Sequence, residues 1–133
     1  MNADTILKRS SRATFQVVAG EAILIHLDSG AYFSLNKVGT EFWELLDGQK
    51  TIHEHAQVIA TQYNQVTNAI ADDVRHFAEH IAAKYESAES VVRDIRQLAD
   101  AIAENYHVET RRVAGDLIEL AVKMAADKLV NEV

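Results

Sequence analysis

The spacing of apolar residues changes at Asn36, and that change constrains what this chain can build. Before it, residues 14–18, 22–27 and 31–35 are short runs rich in β-branched and aromatic side chains. Gly20 with Glu21, and Asp28-Ser-Gly30, separate them, which predicts a meander of three antiparallel strands. Gly30 can close the second turn with positive φ, and the third strand is left as an edge. After Asn36, a helix cap, the period becomes three to four. Val38, Phe42, Leu45 and Leu46 fall on one helical face beside Trp43, and Gly48 supplies a left-handed stop.

Thr51-Ile-His-Glu54 is a capping box that opens a second helix, its buried face reading Ile52, Ala56, Ile59, Ala60 and Tyr63. A polar turn at Asn64-Gln-Val-Thr67 predicts a third helix with Ile70, Val74, Phe77 and Ile81 inward. Three strands and three helices of this size give an α+β chain like a winged helix-turn-helix.

The remaining third reads as a copy. A shift of 43 positions aligns Ala56 with Ala99, Tyr63 with Tyr106, Asp73 with Asp116, Val74 with Leu117 and Phe77 with Leu120. A repeated helix pair is expected, for about five helices in all. From Asn68 to Tyr106 there is neither glycine nor proline, so the register could also carry one helix of about 57 Å. A break near Ser87 is the reading adopted. The expected organisation is a mobile arm over 1–12, a winged-helix domain over 13–86 and a C-terminal helix pair over 87–133. That last pair invites a homodimer with exchanged helices.

The net charge of −7 is spread over the whole chain, so the basic patch that supplies nucleic-acid affinity is missing. No apolar run approaches the roughly 20 residues that span a bilayer. Neither a signal peptide nor a membrane partner is expected, and the absence of cysteine excludes disulfides, iron–sulfur clusters and thiol catalysis. A cytoplasmic address fits.

Asp28-Ser-Gly-Ala-Tyr-Phe-Ser-Leu-Asn36, then Gly39, then Trp43-Glu-Leu-Leu-Asp-Gly48, resembles the pattern of PqqD-like proteins. These are peptide chaperones, the precursor-peptide recognition elements of ribosomal peptide modification. The resemblance covers about residues 14–82. The usual family ending is absent after Ile81, and something nearer to it stands at Lys128-Leu-Val130. Either helix pair could therefore complete the domain. The resemblance implies a non-catalytic protein without cofactor or metal. It would bind the leader of a precursor peptide and present it to a separate radical enzyme, cyclase or peptidase. Binding would be strand addition along Ala31, Tyr32, Phe33, Ser34 and Leu35. The cleft beside that strand would be lined by Asp73, Val74 and Phe77, or by Asp116, Leu117 and Leu120, according to which helix pair is in place. Phe42 and Trp43 would pack the core.

His76-Phe-Ala-Glu-His80 spells H-x-x-E-H, a zinc-peptidase pattern, but the chain downstream is short for a third ligand and offers no obvious substrate cleft. His53 and His55 flank the capping box and are expected on solvent. No phosphate-binding glycine loop or G-x-S-x-G elbow is present. Two alternatives stand beside the peptide chaperone. One is a helical dimerisation adaptor built on the register from Ile70 to Tyr106. The other is a winged-helix DNA-binding regulator, for which Arg111 and Arg112 are the best evidence.

Overall fold

The computed structural model describes residues 1–133. In chain order the elements are β1 (Leu7–Arg9), β2 (Ala13–Val18), β3 (Glu21–His26), β4 (Tyr32–Ser34), α1 (Lys37–Leu45), α2 (Ile52–Lys84), α3 (Glu89–Asn105), α4 (Thr110–Ala126) and β5 (Val130–Glu132). They divide into two compact units, one of residues 1–60 with 109–133 and one of residues 61–108. The boundary expected at 86/87 falls inside the second unit. No helix is long and apolar enough to cross a membrane.

In the first unit the expected meander is present as β2-β3-β4, antiparallel throughout, with β4 at the edge. Strand alternation buries Ala22, Leu24 and His26 and turns Glu21, Ile23 and Ile25 outward. Asn36 caps α1 by accepting the Gly39 N–H at 2.8 Å. Phe42 and Trp43 are fully buried, and Arg9 donates to the C-terminal carbonyls of Trp43 (3.0 Å), which also accepts the Leu46 N–H, and Glu44 (2.9 Å). The helix ends at Leu45. Gly48, at φ 71°, takes the left-handed conformation just beyond it. The capping box closes both ways: Thr51 N–H donates to Glu54 Oε1 and Glu54 N–H to Thr51 Oγ1.

The segment 1–12, expected as a mobile arm, carries β1 instead. Leu7 is buried, and β1 pairs antiparallel with β5, from Leu7 opposite Glu132 to Arg9 opposite Val130. Two amides at the start of α2, on Ile52 and His53, donate to Thr5 O and Ala3 O. A helix start leaves such amides without intrahelical partners, and here the arm supplies the acceptors. His55 also differs from expectation. It is buried, with its ring edge-to-face against Phe42, because its position on α2 lies between Ile52 and Ile59 on the core face.

The winged helix-turn-helix reading needs correction. There are four helices, not about five; the three-stranded sheet precedes them, as expected, and β5 follows α4. The turn expected at residues 64–67 does not form, and α2 runs unbroken for 33 residues. No glycine or proline interrupts it. The Asn64 side chain, free in principle to end a helix, is engaged elsewhere: Nδ2 donates to Val108 O (2.9 Å) and Oδ1 accepts Val108 N–H (2.7 Å). The first copy of the expected repeat is thus one helix. The second, α3 and α4, is broken at residues 106–109.

In the second unit the rest of α2 and all of α3 form an antiparallel hairpin. The break adopted near Ser87 is present at residues 85–88. Ala71, Ala78, Val92 and Ala99 are buried, and ion pairs Arg75–Asp100 (3.1 Å) and Arg96–Glu79 (2.6 Å) bridge the two helices. Glu79 of the H-x-x-E-H string is thereby engaged by Arg96.

Candidate peptide-binding cleft

Backbone geometry decides what β4 can offer. The register pairs Ala22 with Leu35, Leu24 with Phe33 and His26 with Ala31. Leu35 N–H donates to Ala22 O (2.8 Å) and His26 N–H to Ala31 O (2.9 Å), so these alternate residues spend their backbone groups on β3. Hydrogen-bonded and non-bonded pairs alternate in an antiparallel ladder, which places Phe33 in the bonded set. Tyr32 and Ser34 fall between. Their N–H and C=O groups point away from β3, where no further strand lies.

Beside this edge runs a cleft of about 560 Å³. Phe33, Ser34 and Leu35 form one wall; Asn36, Val38 and Gly39 of the α1 entry close one end; Asp116, Leu117, Glu119, Leu120 and Lys123 of α4 form the other wall. Leu35 and Leu117 are buried and Leu120 half-buried, giving an apolar floor. Asp116, Glu119 and Lys123 are exposed at the rim. The helical period sets this division: Val113, Leu117, Ala121 and Met124 face the core, and the residues one position aside face the cleft.

A second cavity of about 620 Å³ is lined by His26, Asp28, Ser29 and Ala31 and by Ala126, Asp127 and Lys128 among others. His26 Nδ1 accepts the N–H groups of Asp28 (3.2 Å) and Ser29 (3.4 Å), which leaves Nε2 as the protonated nitrogen. Arg12 fixes the turn by a bidentate pair with Asp28, which holds the Asp28 carboxyl below its ordinary pKa.

Of the residues singled out in the sequence, the structure brings Phe33, Ser34, Leu35, Asp116, Leu117 and Leu120 to the first cleft and Ala31 to the second. Tyr32 is exposed, its side chain on the opposite sheet face from Phe33 and Leu35. Asp73, Val74 and Phe77 lie on α2 within the second unit and line neither cavity. Sequence reasoning did not single out Val38, Gly39, Glu119, Lys123 or His26 for the site. Gly39 carried the only signal, as a glycine inside a helix.

Residues 21–86 match the family described as Coenzyme PQQ synthesis protein D (PqqD). That stretch of the chain is PqqD-like. Among solved structures the chain is similar to TbiB1 in complex with the TbiA(beta) leader peptide, at 22% identity and a TM-score of 0.51, over 93% of this chain and 94% of that one. Comparison with curated proteins gives no match. The PqqD-like segment ends just after α2, so the family match takes in that helix, whereas the helical wall of the cleft is α4, outside the match.

Proposed function

We propose that this PqqD-like protein captures the leader segment of a ribosomally made precursor peptide and presents it to a separate modifying enzyme, a radical enzyme, a cyclase or a peptidase. The setting is the cytoplasm, where such precursors are made. The observation that carries this reading is the pair of outward-facing, unpartnered backbone positions, Tyr32 and Ser34, beside a cleft with an apolar floor. An extended peptide laid antiparallel or parallel to β4 would exchange backbone hydrogen bonds with Tyr32 and Ser34. Alternate peptide side chains would then enter the cleft against Leu35, Leu117 and Leu120, while Asp116 offers a carboxylate to a donor on the peptide. Ala31, Phe33 and Leu35 hold the edge in register by bonding β3.

The leader peptide in the TbiB1 complex is that protein's ligand, and the likeness in fold supports a leader peptide as the partner here. No catalytic step is assigned. The cleft rim carries two carboxylates and one lysine, a balance that disfavours a phosphate backbone and therefore the DNA-binding alternative.

The test is calorimetry with a synthetic leader from a precursor encoded beside this gene. Ser34→Pro removes one outward N–H and adds a ring at the edge, and is expected to weaken binding roughly tenfold, about 1.4 kcal/mol, with the fold retained. Unchanged affinity in the folded variant would sink strand addition at β4.

A further inference from the structure

His26 carries a polar edge that the chain itself leaves unused. The residue is 7% exposed, on the core-facing side of β3. Nδ1 accepts the Asp28 and Ser29 N–H groups, so the proton sits on Nε2, and no group of the chain accepts it. A buried donor without an acceptor costs free energy, and such groups are rare unless something else supplies the partner. The imidazole lines the cavity of about 620 Å³. With the Nδ1 edge held by the turn, Nε2 is the polar edge left to that cavity.

The other polar groups there are also set to donate. The Ser10 and Ser29 hydroxyl oxygens already accept backbone N–H groups, from Arg12 (3.1 Å) and Ala31 (3.2 Å), which leaves each its O–H. Lys128 adds an ammonium and Asn131 a side-chain NH₂. Of the two lining carboxylates, Asp28 is paired with Arg12 at 2.6 Å, and the charge of Asp127 is balanced by Lys128. Donors outnumber acceptors, which is the complement of a carboxylate.

The strand register says where such a carboxylate comes from. Ala31 lines this cavity, Phe33 and Leu35 line the cleft of about 560 Å³, and these three alternate residues share one face of the sheet. An extended peptide along the edge passes both places. Its alternate side chains enter the cleft beside Phe33 and, roughly 7 Å further along, the cavity beside Ala31. We infer that the His26 cavity is a second subsite for that peptide, taking an aspartate or glutamate side chain two or four residues from the apolar one held in the cleft. The carboxylate accepts from His26 Nε2–H, with Ser29, Asn131 and Lys128 as the surrounding donors. This rests on the leader-binding reading and adds a sequence requirement that backbone pairing alone lacks.

Calorimetry tests it with the synthetic leader and a set in which each aspartate or glutamate is replaced, one at a time, by asparagine or glutamine. One replacement should weaken binding to the wild type roughly tenfold, the size of a charge-assisted hydrogen bond. Against a chain of net charge −7, removing an acid elsewhere on the leader is neutral or favourable, so a loss is diagnostic. In His26→Asn, whose Oδ1 can still accept the turn N–H groups, the same replacement should change affinity less than about twofold. Ala31→Leu fills the cavity from the strand without touching the His26 bonds; it should lose the same discrimination, and it serves if His26→Asn does not fold. Affinity unchanged by every replacement overturns the inference, as does a discrimination that survives in the folded variants or a leader that binds with no acidic residue. If no leader binds, the leader reading has failed, and the subsite is read alone by ¹⁵N NMR. N-acetylglutamate methylamide should then shift the His26 Nε2 resonance where the glutamine analogue does not, and equal responses overturn the subsite.

Discussion

Gly39 lies against Leu120: a Cβ at Gly39 would stand 3.2 Å from Leu120 Cδ2 and 3.4 Å from Leu35 Cβ. The first turn of α1, the end of β4 and the middle of α4 thus meet at a point where only a hydrogen fits without displacement. That point is also one end of the cleft.

Gly39→Ala is accordingly expected to separate stability from binding. Alanine favours the helix by up to ~1 kcal/mol over glycine, and Leu120 Cδ2 is the tip of a side chain that can rotate away. Net stability in urea should change by less than about 1 kcal/mol. Leader affinity should fall several-fold because Leu120 moves in the cleft. Gly39→Val overpacks the same point and should cost about 1 to 3 kcal/mol of stability.

The two faces of the β4 backbone give a parity test. Ser34 points its N–H outward and Phe33 points its own at Leu24. Ser34→Pro should leave the thermal midpoint within a few degrees of wild type. Phe33→Pro removes a ladder bond inside the sheet, and at about 3 kcal/mol should unfold a marginal domain or lower its midpoint sharply. Circular dichroism melts of the two variants decide it. Equal losses would mean that the edge is not open.

What the sequence revealed and what it hid divide by range. The Asn36 cap, the Thr51–Glu54 box, the turn at Gly30 and the alternation of β3 are signals confined to a few neighbouring residues, and each is realised in the structure. α2 runs on through Asn64, whose side chain bonds Val108, 44 residues away, and no local pattern carries that. Pairing of β1 with β5 joins the two ends of the chain through three residues each, too short to show a strand period. The choice of α4 over the second half of α2 as the cleft wall was illegible for a different reason. Asp73, Val74 and Phe77 repeat the chemistry of Asp116, Leu117 and Leu120, so composition could not separate them.

The Asn64 clamp predicts a local effect in the second unit. Its amide gives and takes one bond at the same backbone residue, Val108, where α3 has ended and α4 has not begun. Asn64→Ala leaves the Val108 N–H and C=O without those partners and should cost about 1 to 2 kcal/mol. Hydrogen exchange at residues 105–109 should accelerate at least tenfold, with the β2-β3-β4 sheet unchanged. Asn64→Asp keeps the acceptor for Val108 N–H and should recover part of the protection.

His55 sets the last expectation, a pH dependence of stability. It is 1% exposed, and neither ring nitrogen has a hydrogen-bond partner. Burial disfavours the imidazolium and lowers its pKa below the ordinary 6.5, with the nearby Asp47 opposing and Lys50 reinforcing the shift. The unfolded chain takes up a proton as pH falls through about 6.5, while the folded chain resists until a lower pH. In that window the unfolded state binds more protons, so stability must fall as pH falls. Above about pH 7.5 both states are neutral at this residue and the dependence vanishes. His55→Leu keeps an apolar contact for Phe42, removes two unsatisfied nitrogens and should raise stability near pH 7 by about 1 kcal/mol. It should also flatten the decline between pH 7 and pH 5 measured by urea unfolding. An equally steep decline in the folded variant would place the titrating group elsewhere.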